Sequence, residues 1–180
     1  PERLTAAMKR LGFANTAEVA IGADLCTIDE AHDFLEEVPS KHPFMGTSCC
    51  PAWSVMAKKN FPKFADCISM AMTPMVLTAR LPDDPNDNFN NASADGRGFA
   101  VSGGVAQAVV NVIKKEDPTR EVKVVSAQGL AECKKMMQLA AAGKYNGYLL
   151  EGMACPGGCI AGAGTVQTVK KAGVALEKMK

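Results

Sequence analysis

Net charge is almost absent from this chain: 20 Lys and Arg stand against 19 Asp and Glu over 180 residues, a formal charge of +1. So balanced a chain has no surplus field with which to capture nucleic acid or an anionic membrane, and neither is expected as a partner. Nor does any stretch approach the roughly 20 uninterrupted apolar residues of a membrane helix. The longest apolar runs are broken by Lys, Gly or Asn within a few positions, so a soluble chain is expected. No basic segment followed by an apolar run and a cleavage site lies near the first residue. That residue is Pro1 rather than Met, so part of the natural N-terminus is expected to lie outside this sequence. Fixed-period repeats and low-complexity tracts are lacking too. With 47% hydrophobic and 22% charged residues, the composition excludes disorder and fibre and fits one domain or two small lobes.

What the chain has in excess is cysteine. There are seven, Cys26, Cys49, Cys50, Cys67, Cys133, Cys155 and Cys159, an odd number with one adjacent pair and one pair separated by Pro-Gly-Gly. This is not the even framework of a small secreted domain, and a reducing, cytoplasmic setting is expected. There, clustered thiols serve as metal ligands or catalytic groups, and isolated ones such as Cys133, on an apolar face with Leu130 and Met137, serve as small core residues. Cys26 is open to either reading.

The periodicity predicts an α/β fold. Helices are expected over 2–11, 29–38, 53–60 and from Pro74 to Leu81, with a brief strand at Val19–Ile21 and an apolar run at Phe44-Met45 leading to the cysteine pair. Residues 82–98 are polar and turn-rich and read as a connector. In the second half a helix is expected around Val105–Ile113, a strand over 121–126, a helix over 130–142, a strand over 147–150 and a last helix over 166–179. This divides the chain into an N-terminal α/β lobe, 1–81, the connector, and a C-terminal α/β lobe, 99–180. Alternating strands and helices imply mostly parallel sheets flanked by helices, with both cysteine clusters at the carboxyl edge and the site between the lobes.

Cys155-Pro-Gly-Gly-Cys159 sits in a glycine-rich loop that extends to Gly164. Two thiolates four positions apart can reach one metal centre, and the glycines let backbone N–H groups approach a bound anionic sulfide. An iron-sulfur cluster fits this loop best. Zinc is the nearest rival, but neither His32 nor His42 has a partner at zinc-site spacing. Adjacent thiols such as Cys49 and Cys50 diverge and seldom share a metal, so one is a candidate ligand and the other is a candidate proton carrier or a buried spectator.

Two segments, Thr47-Ser48-Cys49-Cys50-Pro51-Ala52-Trp53 and Glu151-Gly152-Met153-Ala154-Cys155-Pro156-Gly157-Gly158-Cys159, resemble two of the three signature motifs in the C-terminal domain of the iron-only (FeFe) hydrogenases. Ala23-Asp24-Leu25, Ser69, Thr73-Pro74 and Phe99 to Val105 resemble its intervening segments. The resemblance implies a hydrogenase-type oxidoreductase that interconverts dihydrogen with protons and electrons at an H-cluster. That cofactor is a 4Fe-4S cubane joined to a two-iron subsite with CO, cyanide and a bridging dithiolate. By resemblance Cys50, Cys155 and Cys159 are cubane ligands, Cys159 bridges to the two-iron unit, and Cys49 carries protons. Glu30, Ser69 and Asp33 continue the proton route, and Met153, Phe99 and Gly158 lie against the cofactor. Glu37 stands where many members have arginine. On spacing alone, Glu30, Asp33 and Glu37 form one face of a helix, which an ordinary solvated acidic stripe would also give. A ferredoxin or another electron carrier is the implied partner.

The family's middle motif, Met-Pro-Cys-x-x-Lys-x-x-Glu, is expected between Leu81 and Asp83, and nothing like it occurs there. The chain therefore reads as one with an internal segment missing, and Cys67 is the spare thiol nearest to filling the fourth cubane position. The family's further N-terminal modules are absent from this sequence as well. A non-catalytic iron-sulfur sensor or electron-transfer relative without the two-iron subsite is the alternative.

Overall fold

Strands in this chain are few and short, and helices do most of the enclosing. The computed structural model describes residues 2–81 and 90–180. The first half contributes α1 (Glu2–Arg10), α2 (Val19–Glu37), β1 (Met45–Gly46), α3 (Pro51–Asn60), a 3-10 segment (Pro62–Cys67) and α4 (Pro74–Ala79). The second contributes α5 (Ala94–Gly98), α6 (Gly104–Glu116), β2 (Lys123–Gln128), α7 (Leu130–Ala141), β3 (Tyr148–Met153), a 3-10 turn (Cys159–Ala161) and α8 (Val169–Glu177).

The α/β reading stands, with a single parallel sheet among the described residues, in the order β1-β3-β2. Met45 pairs with Leu149 and Gly46 with Leu150, so the sheet takes β1 from the first half and β2 and β3 from the second. Successive side chains of β3 point to opposite faces. Leu149 joins Phe34, Met45, Val109 and Ile113 in a core beneath α2 and α6, and Leu150 joins Phe44, Trp53, Ile68 and Met137 beneath α3 and α7. Both faces of the central strand are thus covered, as a parallel strand requires. A third cluster, with Ala23, Cys26, Phe99, Val105 and Met153, lies beyond the carboxyl end of β3.

Several expected boundaries move. Val19–Ile21 is not a strand but the first turn of α2, a helix of 19 residues that absorbs the one expected from Asp29. Tertiary packing decides this. α2 lies along α4 so closely that a Cβ on Gly22 would sit 2.1 Å from the Pro74 carbonyl oxygen. Three apolar residues are too few to tell a strand from a helix start. α4 stops at Ala79 rather than Leu81, and α8 spans 169–177, with the Thr168 hydroxyl accepting from the Lys171 amide. β2 runs 123–128, and β3 continues to Met153 instead of ending at Leu150. Within the expected connector, Ser93 caps α5 by accepting from the Gly96 amide. Residues 82–89, and with them the junction where the middle motif is missing, lie outside the described residues.

The quiet residues mostly sit where a core reading puts them. Cys133 and Cys67 are buried in the Trp53 cluster, where burial raises each thiol pKa to about 11. Cys26 is fully buried near the site, packed in the cluster that Cys49 and Cys50 flank. Met70 and Met75 are largely exposed. No helix among the described residues is long and apolar enough to cross a membrane.

Candidate metal centre

Both cysteine segments leave the sheet on the same side, because β1 and β3 are parallel and each ends just before its cysteines. After β1, the Thr47 amide donates to the Leu150 carbonyl (2.9 Å) and carries the chain across to Cys50, the residue preceding Pro51, which opens α3. Proline suits this first helical position because its missing N–H would have no partner there. Trp53, one turn on, is fully buried. Its indole N–H donates to the Thr47 carbonyl (2.9 Å), and its ring lies so close to Gly152 that a Cβ there would meet it at 2.1 Å. The tryptophan therefore packs the Cys50 corner against β3.

After β3, the Cys155–Cys159 loop turns back over residues 99–103. Ile160 N donates to the Ala100 carbonyl (3.1 Å) and Ser102 N to the Gly157 carbonyl (3.3 Å). Gly158, with φ +95°, is buried against this loop, and any Cβ would stand 2.6 Å from the Ala100 oxygen. Only glycine accommodates both the left-handed backbone and the close approach.

The two segments meet. The Ala154 amide, just before Cys155, donates to the Cys50 sulfur at 3.4 Å across 104 residues of sequence. The Cys159 thiol has its pKa raised, first by desolvation and then by the neighbouring Cys50 and Cys155 sulfurs. Cys49, Cys50 and Cys159 line one cavity of about 560 Å³ together with Met153 and Phe99. Its wall is almost wholly apolar. Among the described residues no three His, Cys, Asp or Glu side chains stand close enough to share a single metal ion. A zinc ion bound by thiols alone would need its sulfurs about 2.3 Å from one point. Cys155 is not among the residues that line this cavity.

Behind the cavity wall sits a polar inlay. Glu30 on α2 is fully buried, and its Oε1 accepts from the Ser48 amide (2.7 Å) and the Ser48 hydroxyl (3.1 Å). Its Oε2 has no hydrogen-bond partner among the described residues. Burial raises the Glu30 pKa to about 7, against the lowering pull of the Ser48 bonds. Cys49 is pushed well above the ordinary thiol range, by burial first and then by the nearby Glu30 carboxylate. One turn along α2, Asp33 Oδ2 accepts from the Ser69 hydroxyl (3.1 Å), which itself accepts from the Ala71 amide. The Ser48 hydroxyl touches the Ala71 carbonyl (3.1 Å) from the other side. Glu30, Ser69 and Asp33 are thus held around residues 69–71, and Asp33 reaches a surface depression. Glu37 turns away, toward Lys41 (3.8 Å) and His42 (3.7 Å). Cys67 lies in the Trp53 core and not among the cavity-lining residues.

Three contributors escape a reading of the sequence. Ser48, inside the first motif, supplies both donors to Glu30. Glu151 is fully buried, and its carboxylate accepts from Gly103 N (2.9 Å), Ala106 N (3.4 Å) and the Ser126 hydroxyl (3.0 Å). Burial raises its pKa, against the pull of the Gly103 amide and the other donors. Arg97 and Glu18 form a bidentate pair (2.7 and 3.0 Å) at the cavity rim, and Arg97 also donates to the Met179 carbonyl. An acid in the otherwise apolar run of β3 is the available signal for Glu151. For Ser48 the signal is its place inside the first motif, and the Arg97–Glu18 pair carries none.

Residues 1–82 and 78–163 match, as two segments, the family model described as "Iron only hydrogenase large subunit, C-terminal domain". The two matches meet at 78–82, where the middle motif is missing. Among curated proteins the chain is similar to iron hydrogenase 1 of Clostridium pasteurianum, 32% identical over 76 residues, which is 42% of this chain and 13% of the relative. It is 22% identical over 259 residues to the periplasmic [Fe] hydrogenase large subunit of Nitratidesulfovibrio vulgaris, covering 90% of this chain and 62% of the relative. It is 23% identical over 265 residues to the NADP-reducing hydrogenase subunit HndD of Solidesulfovibrio fructosivorans, covering 90% and 45%. The chain thus spans less than two thirds of the length of each. Both longer alignments exceed the 180 residues of the whole chain, so a substantial stretch of each relative has no counterpart here.

Proposed function

Because this chain belongs to the family of iron-only hydrogenase C-terminal domains, we propose that it is a hydrogenase-type oxidoreductase domain that binds an H-cluster in the cavity beside Cys49, Cys50 and Cys159. The observation that carries the proposal is the 3.4 Å contact between Ala154 N and the Cys50 sulfur, which brings the two cysteine segments to one wall. Cys50, Cys155 and Cys159 would hold the 4Fe-4S cubane, Cys159 would also serve the two-iron subsite, and Met153 and Phe99 would exclude water from the bound group. Gly158 brings the ligand loop down onto residues 100–102. When bound, the H-cluster supplies the chemistry that interconverts dihydrogen with protons and electrons.

The chain's own part is binding, dryness and proton handling. Cys49, its pKa raised, keeps its proton at neutral pH and offers it toward the cavity. Glu30, with a pKa of about 7, gains and loses a proton near neutrality, as a relay must. Ser48 holds one oxygen of Glu30 and leaves the other free for exchange. Ser69 and Asp33 carry the route to the surface. The 1–81 and 99–180 halves act as two lobes that share the site. A ferredoxin or another electron carrier takes the electrons, and the setting is cytoplasmic.

Anaerobic reconstitution followed by maturation with the two-iron precursor tests this. Infrared bands from CO and cyanide are expected in the matured protein, and Cys49→Ala is expected to keep those bands and lose turnover. Normal turnover in Cys49→Ala would exclude the proton role. One set of observations favours a second reading, a non-catalytic iron-sulfur relative. The middle motif is missing, and the family matches meet where it should be. A cubane formed without CO or cyanide bands would decide for that reading.

A further inference from the structure

The first turn of α6 lacks a capping side chain of its own. Its N-cap residue is Gly103, with φ 91°, where Ser, Thr, Asp or Asn would ordinarily accept from the free amides. The acceptor comes instead from 48 residues further along the chain: Glu151 Oε1 takes Gly103 N (2.9 Å), and Oε2 takes Ala106 N (3.4 Å) and the Ser126 hydroxyl (3.0 Å). No ion pair of Glu151 occurs among the described residues. A fully buried carboxylate held only by amides and a hydroxyl fits a helix N-terminus, where the aligned peptide dipoles favour negative charge. One side chain therefore ties β3, β2 and α6 together.

The residues that Glu151 pins continue directly into the seat of the ligand loop. Gly103 follows Ser102, whose amide donates to the Gly157 carbonyl, and Ala100 accepts from the Ile160 amide. Gly158 is pressed into the same loop with no room for a Cβ. Residues 100–103 are thus fixed on one side by Glu151 and bear the Cys155–Cys159 loop on the other. We propose that Glu151 is a positioning residue. Through the 100–103 loop it sets where the Cys155 and Cys159 thiols stand relative to Cys50, and so how firmly the cluster is held. This rests on the cluster-binding reading above. Glu151 is not among the residues that line the cavity.

The test uses the full chain with Glu151→Ala and Glu151→Gln. The first readout is peptide-resolved hydrogen exchange on the metal-free protein, which needs no iron. In Glu151→Ala, amides of 100–106 and 155–162 are expected to exchange faster by on the order of tenfold, the loss of a charged hydrogen bond, while α7 keeps its protection. Glu151→Gln, which retains an acceptor for Gly103, is expected to restore most of it. The second readout, on reconstituted protein, is the rate at which a chelator strips iron, which rises in the same order. Unchanged exchange at 155–162 would overturn the proposal. So would exchange that rises equally in α7 in both variants, because that is general destabilisation. Faster exchange with unchanged iron loss would also overturn it. Failure of the unmutated chain to take up any iron would instead count against the cluster reading itself.

Discussion

The two cysteine segments reach the same cavity by opposite means. The first, 47–53, is locked by side chains: Trp53 fills the space over Gly152, its indole holds the Thr47 carbonyl, and Ser48 is fastened to buried Glu30. The second, 155–159, is held by its backbone. Glycines lay it on residues 100–102, Cys155 is half-buried and Cys159 exposed. The comparison teaches that Cys50, half-buried like Cys155, is a fixed reference point because its neighbours Trp53 and Ser48 are locked to the core, and that the other two thiols belong to a seated loop whose position can be tuned separately. Damage to the first segment should therefore spread through the fold, and damage to the second should stay local.

The sharpest way to break that comparison is a methyl group on each side. Gly152→Ala drives a Cβ into the Trp53 ring, which is hemmed in by β3 and α3, and overpacking of this kind typically costs about 1–3 kcal/mol and occasionally more. A fall in the global melting temperature is expected, with loss of near-ultraviolet tryptophan ellipticity. Gly158→Ala meets backbone atoms at 2.6 Å and a φ of +95°, so its loop must lift. Here a smaller change in melting temperature is expected, together with a large loss of iron-binding capacity. Equal melting temperatures for the two variants would erase the distinction.

Glu30 gives a subtler handle on the first segment. Its folded-state pKa of about 7 lies above the ordinary 4.5. Between those values the folded protein holds a proton that the unfolded chain has released, so stability falls as pH rises from about 4.5 to 7 and then levels off. Glu30→Gln removes this loss. Relative to the variant, the unmutated metal-free protein is expected to lose roughly 3 kcal/mol across that window, measured by denaturant unfolding at a series of pH values. A constant difference at all pH values would mean that Glu30 titrates normally.

Much of this architecture is legible in the residues. β-branched and apolar periodicity locates α6, α7 and the strands on either side of α7, and proline marks the starts of α3 and α4, because these are local signals. Val19–Ile21 reads as a strand in sequence because the close approach of α2 and α4 that settles its conformation depends on Gly22 and Pro74, 52 positions apart. β3 is cut short at Leu150 in that reading because Glu151-Gly152 looks polar. The acid is buried only because Gly103, Ala106 and Ser126 come from elsewhere to satisfy it. At the site, clustering and glycine content point to the second cysteine segment, and only the resemblance assigns Cys50 over Cys49. The acids of α2 are ambiguous for a physical reason. An i, i+3, i+7 stripe is the same on a wet helix face as on a dry one, and only Ser48 and Ser69 folding over it make Glu30 and Asp33 different from Glu37.

The account depends on Cys50 sharing one inorganic nucleus with Cys155 and Cys159. Iron and sulfide per chain after anaerobic reconstitution, compared between the unmutated protein and Cys50→Ala, tests it most directly. About four of each are expected in the former and a large loss in the latter. Full iron and sulfide in Cys50→Ala would contradict it.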